Sequence, residues 1–154
     1  MCIKQLYMLL IRRYWVMVDK RVKMIRIQFQ HYNYYCDIRD NSKQELIVWE
    51  KRCGATKSDK YRKECERRIA LHRLAYQKSK GNIIYLNRLL ELLATSDKKL
   101  LIDIYIKSLP IKLIVKKYDF TCEENLQFYI QLLFKNLIEM EVNENEKFMQ
   151  SDFV

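Results

Sequence analysis

DKKLLIDIYIKSLPIKLIVKKYDFTCEENLQFYIQLLFKNL, residues Asp97–Leu137, is a helical pattern interrupted twice. The first interruption is Ser108-Leu109-Pro110. Proline fixes φ and has no N–H to donate, so it suits the first turn of a new helix and not the interior of an old one. The second is Tyr118-Asp119-Phe120-Thr121. Thr121 followed by Glu124 has the spacing of a capping box, with Cys122 as the other candidate cap. The pattern predicts one helix, a short helix of about two turns after Pro110, and a long amphipathic helix after Phe120. Two helices joined by a tight turn, the second free to lie against a duplex, are the parts of a helix-turn-helix DNA reader.

The surrounding composition points the same way. Two glycines and one proline in 154 residues are too few for the turns of a β-rich fold. Leu, Lys, Glu, Gln and Arg are abundant, and an all-α protein follows. The net charge is +10, and it is uneven. Residues 1–57 carry +7, 58–95 carry +5, 96–137 carry +2 and the tail from Ile138 carries −4. A basic body attracts phosphate and releases counterions when it binds nucleic acid, although a lysine-rich surface also serves solubility alone. Five cysteines at irregular spacing, with no CxxC pair, read as free thiols in a reduced, cytoplasmic compartment. Arg12-Arg13 cut the apolar run Gln5–Ile11 well short of the ~20 residues that span a bilayer, so neither an anchor nor a signal peptide is expected.

Upstream, Met8, Ile11, Trp15, Val18, Val22, Ile25, Phe29, Tyr32 and Cys36 recur at alternating steps of three and four. That heptad seam, over residues 8–36, puts one apolar stripe along a helix. The stripe can pair with a second copy to make a homodimer, or fold back on Ile83–Ala94 within one chain. Asp40-Asn41-Ser42 is expected to end this helix, with Ser42 and Glu45 as a capping box for a helix over 43–52. Gly54 marks a stop, Ser58 or Asp59 caps a helix over 59–79, and Gly81-Asn82 separates it from a buried helix Ile83–Ala94. The expected organisation is a helical N-terminal segment (1–80), a helix-turn-helix domain (81–142) and an acidic flexible tail (143–154).

Taken together, Ile83–Met140 resembles the region 4-like helix-turn-helix of the sigma-70 superfamily, in particular the small phage and prophage regulators. The family phrases Y-I-x-G-L-S and I-A-x-K-Y-G read here Tyr105-Ile106-Lys107-Ser108-Leu109-Pro110 and Ile114-Val115-Lys116-Lys117-Tyr118-Asp119. Ser108 and Asp119 stand where the family commonly has glycine, and Val115 where it has a small alanine. The resemblance implies a DNA-binding transcriptional regulator with duplex DNA as partner.

Helical geometry divides the last helix. Leu126, Tyr129, Ile130, Leu133 and Leu137 share one side and should pack inward. Glu124, Gln127, Phe128 and Gln131 lie opposite and are the candidates for base edges. Lys107, Lys112, Lys116, Lys117 and Lys135 are the candidates for phosphates. The competing reading is a non-enzymatic module that grips RNA polymerase or another host protein. Glu123 and Glu124 favour a helix N-terminus in any protein, and they put negative charge where DNA would dock. His72 with Cys65, and His31 with Cys36, are too sparse for zinc, which needs closer, paired ligands, so no metal is expected. No phosphate loop, nucleophile elbow or carboxylate pair suggests an enzyme, and no cofactor is implied.

Overall fold

The computed structural model describes the backbone of residues 3–151 and the side chains of residues 17–145. Six helices make up most of it: α1 (Ile3–Gln30), α2 (Tyr32–Ala55), α3 (Asp59–Glu91), α4 (Thr95–Leu101), α5 (Ile111–Lys117) and α6 (Glu123–Ser151). A π-helical turn, Ile102–Ile106, continues α4. The described residues contain no strand, as expected of an all-α chain. No described helix is long and apolar enough to cross a membrane.

The chain forms two compact units, Met1–Gln30 with Arg88–Val154, and His31–Asn87. This differs from the expected division near residue 80, and α1 is the reason. Its seam residues Val22, Ile25 and Phe29 are buried, and α1 packs on α6 and on the π-helical turn. Phe29 meets Tyr105 and Phe134 at ring-centroid distances of 5.9 and 5.7 Å, and the other two rings lie 6.0 Å apart. Burying each such side chain is worth roughly 1.5–3 kcal/mol. Val22, Ile25 and Phe29 of the seam therefore close on α6 where Ile83–Ala94 was expected, whereas Tyr32 and Cys36 fall in α2, so the single helix expected over 8–36 is interrupted at His31. Met8, Ile11 and Trp15 fall outside the described side chains. α6 itself contributes Leu126, Ile130, Leu133, Phe134, Leu137 and Ile138 to this core. The helix runs on to Ser151, through the stretch expected to be a flexible tail.

The second unit is an antiparallel hairpin of α2 and the greater part of α3. Tyr32 donates to Asn87 Oδ1 at 2.9 Å at one end, and the Arg68 guanidinium lies 5.6 Å from the Trp49 ring near the other. Two expected breaks are absent here. α1 and α2 are separated at His31, and α2 then passes straight through Asp40-Asn41-Ser42. Ser42 is buried mid-helix and caps nothing. α3 likewise passes through Gly81-Asn82, so Ile83–Ala94 is no separate helix; its exposed members include Ile84. The stops at Gly54 and Asp59 do fall at helix ends. Ser58 Oγ accepts the Tyr61 N–H at 3.4 Å, capping α3.

Candidate nucleic-acid interface

α4, α5 and α6 are joined by two turns, and each contains a residue in the left-handed region. Ser108 has φ 52° and Asp119 has φ 55°. These are the positions at which the family pattern has glycine. Left-handed backbone costs an L-residue roughly 1–2 kcal/mol, less for Asp, whose side chain can bond locally. At the second turn the Phe120 N–H returns to the Val115 carbonyl at 3.0 Å and closes α5. At the first, the Leu109 N–H reaches the Asp103 carbonyl at 2.9 Å across the wider π-helical turn. Pro110 caps α5 and accepts from Leu113 and Ile114. α6 begins at Glu123, which puts Cys122, rather than Thr121, at the cap position; the Leu126 N–H bonds its carbonyl at 3.3 Å. The Glu124 carboxyl is held below its usual range by its own backbone N–H, with help from the Cys122 side chain.

One buried carboxylate ties the turn unit together. Asp103, 2% exposed, accepts from Lys107 Nζ at 2.8 Å, Lys117 Nζ at 2.6 Å and the Tyr118 hydroxyl at 2.7 Å. Those three bonds keep its carboxyl well below the usual carboxylate range. Burial, with donation to Asp103, pushes the Tyr118 phenol up to about 12. Lys99 joins these residues around an open cleft of about 450 Å³. Sequence reasoning missed Asp103, although its i,i+4 spacing to Lys107 was visible. Lys107 and Lys117 are thus already committed to a carboxylate and are weaker phosphate candidates than expected. Lys112 and Lys116 are exposed and make no ion pair among the described residues.

The faces of α6 largely match expectation. Leu126, Ile130, Leu133 and Leu137 are buried, whereas Tyr129 stays partly exposed, its ring tilted against Phe120 and its hydroxyl donating to Asp97 Oδ1 at 2.6 Å. Glu124, Phe128 and Gln131 face solvent. Gln127 does not stand clear: Arg26 Nη2 of α1 donates to its Oε1 at 2.6 Å, and it is half-buried. Lys135 is also drawn to α1, 3.6 Å from Asp19 Oδ1. The cause is α1, which runs antiparallel along this flank of α6. The exposed face is also more apolar than expected, with Phe128 74% and Leu132 45% exposed.

No family model matches the chain, and no curated protein or solved structure matches it either.

Proposed function

We propose that the chain is a DNA-binding transcriptional regulator that reads a duplex through the exposed face of α6. One observation carries the reading: a short helix, a turn built on left-handed Asp119, and a long helix that leaves Glu124, Phe128 and Gln131 in solvent. The similarity to sigma-70 region 4 supports it. Gln131 is suited to pair bidentately with adenine, Phe128 to touch a thymine methyl and Glu124 to accept from cytosine N4. Lys112 and Lys116 supply register through phosphates. Gln127 takes part only if it exchanges Arg26 for a base.

The test is Lys112→Glu with Lys116→Glu, a pair that leaves the Asp103 cluster intact. Retardation of a duplex enriched from a random library should fall by more than tenfold while the circular dichroism spectrum is unchanged. Unaltered retardation would sink the reading. A second reading, a protein-binding module for RNA polymerase or another host protein, is favoured by the exposure of Phe128 and Leu132. Solvent-exposed apolar side chains that adjoin each other commonly mark an interface between proteins. Under that reading no duplex is enriched, and any residual affinity responds weakly to salt.

A further inference from the structure

We propose that the tip of the α2–α3 hairpin is a phosphate-gripping site for duplex nucleic acid that acts without regard to base sequence. Residues 51–68 hold eight Lys/Arg against three Asp/Glu. Part of that charge is already engaged. Glu64 binds Arg67 and Arg68 at 2.9 and 2.8 Å, Arg52 lies 4.8 Å from the Trp49 ring centroid, and Arg62 donates to the Thr56 carbonyl at 3.2 Å. Lys51, Lys57, Lys60 and Lys63 remain, exposed and without an ion pair among the described residues.

Their placement concentrates them. Lys51 is in the last turns of α2, Lys57 is in the connecting loop, and Lys60 and Lys63 are in the first turns of α3. The partial positive charge at the N-terminus of α3 is offset at the same end by the partial negative charge at the C-terminus of α2, so the lysines themselves carry the charge of the tip. Lys60, Lys63 and Arg67 line a shallow depression with Ser58, the ring of Tyr61 and Glu64, whose carboxylate is held by Arg67 and Arg68. Within residues 51–68 Tyr61 is the only exposed large apolar side chain; exposed Ile47, Val48, Leu71 and Leu74 lie further along the hairpin.

The charge budget of the two units supports the assignment. The unit of Met1–Gln30 with Arg88–Val154, which carries α5 and α6, has sixteen Lys/Arg against twelve Asp/Glu, a net +4 over 97 residues. His31–Asn87 has thirteen against seven, a net +6. Counterion release scales with the phosphates neutralised, so the four unpaired lysines clustered at the tip are expected to supply sequence-independent affinity. The choice of a duplex rests on the reading of α6 given above; the charge argument is independent of it.

The test uses the full chain carrying Lys51→Gln, Lys57→Gln, Lys60→Gln and Lys63→Gln together, titrated by anisotropy against a labelled random-sequence duplex from 50 to 200 mM KCl. Four lost phosphate contacts should make the slope of log K against log salt shallower by about 3 to 4, with affinity at low salt down by roughly 100-fold. The matching Lys→Arg variant should restore both. An unchanged slope in a folded Gln variant overturns the proposal. Single-stranded oligonucleotide and phosphatidylserine vesicles serve as parallel probes, and preferential binding to either overturns the duplex assignment. Loss of random-duplex binding in a chain that enriches no motif leaves the tip standing and removes the α6 reading. Intact enrichment with an unchanged slope does the reverse.

Discussion

Asp103 is the residue on which the turn unit depends. It is almost wholly buried, yet it is charged, because two ammonium groups and a phenol point at it. Removing the charge leaves those donors facing a weaker acceptor. Lys107 and Lys117 are about half exposed, which screens the loss. Asp103→Asn is therefore expected to cost about 2 kcal/mol at pH 7, read as a lowered urea midpoint. The sign of the pH dependence follows from the lowered carboxyl. Its contribution is complete above the ordinary value of 3.8 and is lost as pH falls below it toward the folded value. The midpoints of wild type and Asp103→Asn should then converge between about pH 4 and pH 2; a gap that stayed constant would refute the assignment. Ser108 and Asp119 show the same economy, since strained backbone is kept where the turn geometry demands it.

At the scale of elements, α3 is the helix that local signals most misjudge. It is continuous over 33 residues with Gly81 inside it. Gly81 has ordinary helical φ, and a Cβ built there meets nothing within 4 Å. Gly81→Ala should raise stability by about 0.5–1 kcal/mol, or some 2–4 °C in melting temperature. A lowered melting temperature would mean that α3 is broken there after all. Both breaks around α5 were legible, because Pro110 and Asp119 act through their own backbones and no packing can reverse a missing N–H. Ser42 and Gly81 carried weaker signals of the same kind, and tertiary context overrode them. A small buried seam of Ser42, Cys65 and Ser79 accommodates the hairpin, and Ser79 satisfies its hydroxyl on the Ala75 and Tyr76 carbonyls. The buried side of α6 was readable from its period, but Phe134 and Ile138 widen it. The engagement of Gln127 was not readable, since its partner Arg26 lies 101 residues away.

For the whole molecule, the main consequence is that α1 is part of the C-terminal core. Val22, Ile25 and Phe29 together stabilise that unit by roughly 5–8 kcal/mol, comparable with the entire stability of a small domain. A fragment of residues 88–154 should consequently give a poorly dispersed amide NMR spectrum, and a separate peptide of residues 1–30 should restore dispersion. A well-dispersed spectrum from the fragment alone would show that α1 is dispensable. Charge is partitioned as well, with the basic excess of Met1–Gln30 set against the acidic excess of Arg88–Val154 in one unit, and His31–Asn87 basic on its own. The order in which these pieces leave a ribosome is fixed. At about 5–20 residues per second, Phe29 emerges roughly 5–20 s before Phe134, the ring it is destined to meet. During that interval the hairpin can close while the apolar side of α1 still waits for the helix that will cover it.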